Sequence, residues 1–341
     1  MITRLAEEND IKTLKTLWKE GFSDSDGFID WYFSRRFPAG GASVVDDGGR
    51  IVSMAFYQPM KLALRGKVFD AAMLNGVYTI PEYRKRGLMH KCVLFLQKHA
   101  LGAGIPIMID TPAGKNHYHA LGHRYITGSE EKTLQSNGND TIPLLKGDAL
   151  AHITELTRIY ERMCADYSAM IVRDGSAMRG RIADLASDGA RWLILKDAYA
   201  AVYELKDKFI CPECAFADDS AKNEILCALG RLGKSCEVKL PGERPTAVGA
   251  ALDAKTLLRA YNLPYSIELK DDVLESNNGI FSMDGEEHIP ACTLSAADIL
   301  PILAGYCELS QADGIIIHDE KNIMSINEKL CRTPCYMIEE Y

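Results

Sequence analysis

The sequence predicts an α+β protein built as three consecutive units, and three observations carry that prediction. A chain of 341 residues, 47% of them hydrophobic, is longer than a single core ordinarily organises. The spacing of its apolar residues switches between the helical and the extended period in one order, helices then meander then helix, and does so twice. A Pro-Gly-Glu-Arg-Pro stretch at 241–245 then sets off a last block. The units are expected at 1–136, 137–243 and 244–341.

In the first block Asn9 or Asp10 caps a helix whose Ile11, Leu14, Leu17 and Trp18 share a face. A second short helix covers 27–36 and is ended by Phe37-Pro38-Ala39-Gly40-Gly41. Alternation then predicts strands over 42–46, 50–64 and 67–80, joined by Asp47-Gly48-Gly49 and Arg65-Gly66 turns. A basic loop follows Pro81, and a helix starts at about Gly87 with Leu88, Cys92, Phe95, Leu96 and His99 in one stripe. A strand at 105–109, a short helix at 117–121 and the start of a strand at 124–127 close the block. In the second block, helices at 149–167 and 179–185 precede strands at 191–196, 199–205 and 209–217 and a helix at 220–232. The last block holds a strand near Ala247, a helix at 253–261 and a hairpin over Ser276-Asn277-Asn278-Gly279. A helix at 295–304, opened by the capping-box pattern Ser295-Ala-Ala-Asp298, and a final strand at 336–341 complete it.

Charged residues make up 25% of the chain and no long polar tract or repeat interrupts it, which excludes disordered and collagen-like classes. No apolar run reaches the roughly 18 residues of a membrane span, so a cytoplasmic protein with no membrane partner is expected. A net charge of −8 argues against a nucleic-acid partner. The acidity is uneven: residues 1–136 hold 18 basic and 14 acidic residues, the remainder 21 basic and 33 acidic. The first third suits a polyanion and the rest a cation. Ten cysteines without a leader read as reduced thiols. The close pairs Cys211/Cys214 and Cys331/Cys335 have no His at ligand spacing, and no metal is expected.

The stretch that carries chemistry is Asn75-Gly-Val77-Tyr78-Thr79-Ile-Pro81-Glu-Tyr-Arg84-Lys85-Arg86-Gly87-Leu88-Met89, a strand, a basic loop and a helix. The loop and the first helical turn offer unpaired amides and the helix dipole adds positive potential, a combination suited to a pyrophosphate. A basic turn capping an ordinary helix would read the same from the loop alone.

In context the stretch resembles the GNAT acetyltransferase family. The signature of Arg or Gln, two residues, Gly, one residue, Gly or Ala is met by Arg84-Lys-Arg-Gly87-Leu-Met89, with Met89 in place of the small residue. The resemblance implies acetyl-CoA as co-substrate, held by Val77, Tyr78 and Thr79 along the pantetheine arm and by Arg84, Lys85, Arg86, Gly87, Leu88 and Met89 at the pyrophosphate. Asn116-His-Tyr118-His-Ala-Leu-Gly122-His-Arg-Tyr125 is similar to the family's Tyr, three residues, Gly, aromatic pattern, with His123 at the aromatic place. The later blocks narrow the resemblance to the Eis (enhanced intracellular survival) group: a second GNAT-like domain without the phosphate loop, then a sterol-carrier-protein-like α+β domain. In that group the chain's terminal carboxylate reaches the first active site, which here implicates Tyr341.

Acetyl transfer from a thioester to an amine needs a base for the amine's protons, a donor for the oxyanion and an acid for the leaving thiolate. The resemblance implies the Tyr341 carboxylate as base and the Tyr118 hydroxyl as acid, where position alone reads Tyr118 as a packed aromatic; the Val77 amide is the oxyanion donor, and His117, His119 and His123 crowd the Tyr118 segment either as proton relays or as surface and packing histidines. For the acceptor, Asp24, Asp26, Phe28 and Trp31, between and along the first two helices, combine acids and aromatics suited to a cationic amine. The same residues would also serve an exposed loop and a core-facing helix. The expected function is therefore N-acetylation of an aminoglycoside, polyamine or lysine-like amine by direct attack in a ternary complex. The alternative is a non-catalytic acyl-CoA or lipid-binding protein using the C-terminal domain, and a third reading has the later domains form a homo-oligomer.

Overall fold

A computed structural model describes residues 1–37, 41–112, 114–136, 142–145, 149–263, 265–282 and 289–339. The turn expected at 38–40, the residues just past the 136 boundary and Tyr341 lie outside the described residues. The chain opens with β1 (Ile2–Leu5), α1 (Ile11–Gly21) and α2 (Asp26–Arg35), and α1 buries Leu14, Leu17 and Trp18 as its periodicity requires. Ser25 caps α2, its hydroxyl accepting the Phe28 amide at 3.1 Å. An antiparallel meander of β2 (Gly41–Asp47), β3 (Arg50–Leu64) and β4 (Lys67–Thr79) leads through α3 (Leu88–Gly102) to β5 (Ile107–Asp110), β6 (Arg124–Tyr125) and β7 (Gly128–Leu134). Because α3 carries the chain back across the sheet, β5 lies parallel to β4.

The second run is α4 (Ile153–Asp166), β8 (Met170–Ile171), α5 (Gly175–Ser187), β9 (Arg191–Ile194), β10 (Ala198–Glu204), β11 (Lys208–Phe216), α6 (Asp219–Leu229), β12 (Ser235–Pro241) and β13 (Arg244–Pro245). Here α6 makes the same kind of crossover, and β12 lies parallel to β11. The third run is β14 (Val248–Ala251), α7 (Ala254–Tyr261), β15 (Ile267–Lys270), β16 (Gly279–Phe281), β17 (Cys292–Ser295), α8 (Ile299–Ala304), β18 (Ile316–Ile317) and α9 (Glu320–Lys329).

These strands form three sheets, ordered β1-β2-β3-β4-β5-β14-β6 with β8 beside β3, then β13-β7-β12-β11-β10-β9, then β16-β15-β17-β18. The first two exchange strands. β7, from the first run, inserts between β12 and β13, while β14, from the third, inserts between β5 and β6. A two-stranded ribbon joins them, held by the Ile126 amide on the Ala247 carbonyl at 2.9 Å and the Thr246 amide on the Thr127 carbonyl at 3.0 Å. The sheets therefore do not divide at residues 136 and 243, since periodicity tells which face a strand buries and not which sheet it joins. The third run packs on the far face of the first sheet, where Leu62, Leu64, Met73, Ile107 and Ile109 share a core with α7, α8 and α9. Arg65, in the β3–β4 turn, fastens it by donating to the carbonyls of Ile302, Leu303, Leu330 and Cys331.

Three local expectations change. The chain end forms no strand over its described part: Tyr336–Glu339 is buried, held by the Tyr336 amide on the Ser168 carbonyl at 2.9 Å, the Tyr336 hydroxyl on the Lys239 carbonyl at 3.4 Å and Arg173 on the Glu339 carboxylate. Ser295 accepts the Ala297 amide, yet Asp298 turns to Arg124 at 3.6 Å instead of closing a capping box, so the helix opens as a 3-10 turn and α8 begins at Ile299. β1, β12 and α9 appear where the sequence showed only charge or a linker. Among the described residues no helix is long and apolar enough to cross a membrane, all ten cysteines are free, and no group of His, Cys, Asp and Glu side chains is placed to hold a metal ion.

Candidate active site

β4 pairs with β5 only from Ala71 to Met73, and because β5 ends at Asp110 while β4 runs on to Thr79, the last part of β4 has no β5 residue beside it. In this part β4 also bulges against β3: Phe56 faces Asn75 and Met54 faces Tyr78, placing an extra residue at Gly76 and Val77. Gly76 has a φ of +56°, and a Cβ there would come within 2.6 Å of Trp18 and 2.7 Å of Phe56, so glycine alone fits. The strip from Asn75 to Thr79 joins two hollows, with Asn75 and Gly76 in the wall of one and Thr79 in the wall of the other.

The hollow at Thr79 is a pocket of about 300 Å³ walled by Arg84, Lys85 and the start of α3. Lys85 and Gly87 both adopt left-handed backbone, φ +61° and +72°, which folds the loop over the helix end. The Lys91 amide to Gly87 carbonyl bond, 3.1 Å, is the first of α3, so the amides of Leu88, Met89 and His90 are left for a ligand. Arg84 Nε donates to the Thr79 carbonyl at 3.0 Å with its guanidinium over the Tyr78 ring, and Arg86 lies over the Tyr83 ring. The Tyr78 ring packs on Phe22 and does not line this pocket, whereas Leu88 does, with its side chain buried. Such a basic, amide-rich pocket fits the diphosphate of a CoA thioester.

The other hollow, about 570 Å³, lies between the first two sheets. Trp18, Phe22, Asp24, Phe28 and Tyr32 form one wall, and Arg181, Asp184, Leu185 and Asp188 of α5 and its C-terminus, with Tyr203 and Lys239, the other. Asp24 accepts the Trp18 indole N–H at 2.7 Å. Burial pushes the Asp188 carboxyl up, and the nearby charges of Asp24 and Asp184 add to it. Of the four sequence-derived acceptor residues, Asp24 and Phe28 line this cleft; Asp26 is exposed and paired with Lys19 at 2.7 Å, and Trp31 lies under Arg36 at 5.3 Å. The wall from α5 was invisible in the sequence because another part of the chain supplies it.

Tyr118 stands where β5 gives way to the 111–123 loop. Asn116 shapes that loop, accepting the Tyr118 amide at 3.0 Å and donating to the His123 carbonyl at 2.9 Å. Among the described residues the Tyr118 hydroxyl has no hydrogen-bond partner. Burial, with the charge of Asp110 added, pushes its pKa up. His117 and His119 are exposed, whereas His123 is fully buried and burial pushes its pKa down to about 3. Sequence reading passed over Asp110, whose only signal is an acid closing the apolar run Ile107-Met-Ile.

A strand that runs on beyond its parallel partner and an amide-rich helix start beyond it define a mixed α/β fold with a basic pocket at the head of α3. Residues 3–126 match the family model described as the acetyltransferase (GNAT) domain. Over its whole length the chain is similar in fold to Eis1 from Mycobacterium abscessus, at 16% identity and TM-score 0.76 with 100% of each chain covered. It is similar also to a conserved Enterococcus faecalis protein of unknown function, at 12% identity and TM-score 0.81 with 100% of this chain and 99% of that one covered. A GCN5-related N-acetyltransferase from Anabaena variabilis matches at 14% identity and TM-score 0.79, with 100% of each chain covered. No curated protein matches the sequence.

Proposed function

We propose that the protein transfers the acetyl group of acetyl-CoA to a primary amine of a cationic acceptor, of aminoglycoside, polyamine or lysine type, by direct attack in a ternary complex. The observation that carries this reading is the β4 strip, which leads from an aromatic cleft at Gly76, lined by Asp24, Asp184 and Asp188 as well as by Arg181, Lys239 and Arg244, to a basic, amide-rich pocket at Thr79. Arg84, Lys85 and Arg86 with the amides of Gly87, Leu88 and Met89 take the pyrophosphate, and the backbone of Val77, Tyr78 and Thr79 takes the pantetheine arm. Acetyl-CoA supplies an activated acyl group. The Val77 amide, in the bulged part of β4, faces the developing oxyanion, and Tyr118 gives its proton to the departing thiolate. Asp24 and Phe28 receive the cationic acceptor.

The base in this reading is the terminal carboxylate of Tyr341. Its support is the burial of Tyr336–Glu339 and the ion-pair network running from Glu339 through Arg173 and Glu213 to Arg181, which lines the cleft. The second sheet, with its own crossover between parallel strands, supports a second GNAT-like unit, and the last run is read as sterol-carrier-protein-like within an Eis-type architecture.

The test is free-thiol release from acetyl-CoA against spermidine, kanamycin and a lysine peptide, with Tyr118→Phe alongside. Amine-dependent release that drops about a hundredfold or more in the variant supports the reading. Binding of acetyl-CoA with no release for any amine favours a binding protein instead.

A further inference from the structure

Asp298 breaks a local rule without a local gain. It stands at the N-cap of α8, where an aspartate ordinarily accepts amides from its own helix, and it makes no such bond. Its Oδ1 lies instead 3.6 Å from Arg124 Nε, while Oδ2 is buried with no hydrogen-bond partner among the described residues. The residue is 6% exposed, and a carboxylate buried with one oxygen unpaired costs more than an exposed cap would. What the pair achieves is therefore to be sought in what Arg124 holds.

Arg124 opens β6, directly after the loop that carries Tyr118. Its Nη1 donates to two carbonyls of that loop, His119 at 3.0 Å and His123 at 3.2 Å. The same two carbonyls close the turn from within: His119 accepts the Gly122 amide at 3.2 Å, and His123 accepts Asn116 Nδ2 at 2.9 Å. The Tyr118 carbonyl accepts the Leu121 amide at 2.8 Å and the His123 amide at 3.3 Å. The turn that starts at Tyr118 is thus one hydrogen-bonded unit, spanned by Arg124, and Asp298 holds Arg124 from the third run.

β14 makes this reach possible. Gly249 pairs with Arg124 across the first sheet. A Cβ at Gly249 would come within 2.6 Å of the Leu300 side chain and 3.1 Å of the Met108 carbonyl oxygen, so glycine lets α8 settle directly on the strand beside Arg124, with Asp298 at its head.

We propose that Asp298 is a positioning residue for Tyr118: by fixing Arg124 it holds the turn from 118 to 123, and with it the phenolic hydroxyl, against the thioester. The inference rests on the reading of Tyr118 as general acid. Neither Asp298 nor Arg124 touches the substrate or exchanges a proton. An acid works only within hydrogen-bond reach of the atom it protonates, about 3 Å, so a turn that drifts slows the reaction while CoA binding at the start of α3 is untouched. The third run thereby belongs to the acetyltransferase site, although none of its described residues lines the cleft or the CoA pocket.

Kinetics and one spectroscopic readout on the full-length protein test the proposal. With acetyl-CoA and the amine of the panel that releases most thiol, Asp298→Asn should lower kcat about tenfold with the KM for acetyl-CoA held within about twofold. Arg124→Met should do at least as much, the double variant should be no worse than Arg124→Met, and Arg124→Lys, which keeps the charge, should recover part of the loss. In a Tyr118→Phe background Asp298→Asn should cost less than about twofold more, since the group it positions is gone, whereas a merely structural contact would cost the same there. In protein carrying fluorotyrosine, with neither substrate present, the Tyr118 fluorine signal, assigned by its loss in Tyr118→Phe, should shift in Asp298→Asn. Where Asp298→Asn does not fold, Arg124→Met and Arg124→Lys carry the same kinetic and fluorine tests. A wild-type kcat in these variants, a loss that persists in full beside Tyr118→Phe, or an unmoved Tyr118 signal overturns the proposal, and a strongly slowed Tyr118→Phe then leaves the acid reading standing. If no amine releases thiol, or Tyr118→Phe keeps full activity, the acid reading itself fails and this proposal falls with it.

Discussion

Arg173 and Glu339, far apart in sequence, meet in the interior: Arg173 Nε and Nη2 lie 2.7 and 2.5 Å from the same Glu339 oxygen, with both residues at most 3% exposed. Arg173 also grips Glu213 through two bonds, and Glu213 accepts from Arg181 Nε at 2.8 Å and from the Tyr199 hydroxyl at 2.8 Å. The last described residue of the chain is thereby fastened to the core of the second sheet.

Arg173→Met should be strongly destabilising, by about 3–5 kcal/mol, because it leaves the buried Glu339 carboxylate without a cation and takes one of two from Glu213. Urea unfolding measures it. Burial pushes Glu213 up, but Arg173 and Arg181 outweigh that and hold its carboxyl at about 2. A depressed carboxylate stabilises the fold above its unfolded value near 4.5 and loses that contribution as pH falls towards 2, so the wild type should weaken over this range and Arg173→Met less so.

At Gly76, alanine has both to adopt a left-handed backbone and to press on Trp18 and Phe56. The combined strain is about 2–4 kcal/mol. A fall in thermal midpoint together with weaker acetyl-CoA binding is expected, and unchanged stability would show that β4 relaxes out of its bulge.

Arg84→Ala and Lys85→Ala remove charge from the pocket at the start of α3. Each should raise the KM for acetyl-CoA about tenfold, with kcat held within twofold, since phosphate contacts remote from the reacting carbon contribute uniform binding. The loss should shrink as salt screens the wild-type interaction.

Asp110→Asn should stabilise the protein. Because burial raises this carboxyl from 3.8 to about 7, the native state resists losing the proton that the unfolded state gives up. Wild-type stability therefore declines as pH rises from about 4 to 7 and is level above that, and the variant avoids the loss. Denaturation at pH 4 and pH 8 should give equal stabilities at the first and a gap of up to about 4 kcal/mol at the second.

Asp24→Asn should weaken the acceptor without touching the thioester. Its carboxylate lines the cleft while the CoA pocket lies at the other end of the β4 strip. A rise in the acceptor KM at constant KM for acetyl-CoA, measured by steady-state kinetics, is the expected pattern.

The parts of the site that are local in sequence were legible in it. The loop from Arg84 to Gly87 and the helix it opens form a continuous stretch whose residue types follow from backbone turns and phosphate chemistry, whereas Tyr118 stood out only through the family resemblance. The α-helical stripe of Leu14, Leu17 and Trp18 and the long alternation of β3 and β4 were equally plain. What stayed hidden is what folding brings together from a distance. Asp184 and Asp188 reach the cleft from the second run, and Asp110 acquires its character only from the depth at which β5 ends. Asp26 and Trp31 share the composition of a binding loop but sit on the outward turns of α2, where they meet Lys19 and Arg36 instead.

The strands that the first two sheets trade also govern how the molecule is born. β5 is synthesised long before β14, its neighbour, and until Ala251 has left the ribosome the first sheet carries an unfilled edge beside the nascent site. β7 waits in the same way for β12. Neither half of the cleft is finished until nearly three quarters of the chain exists, so an interrupted translation product carries an open strand edge to aggregate through.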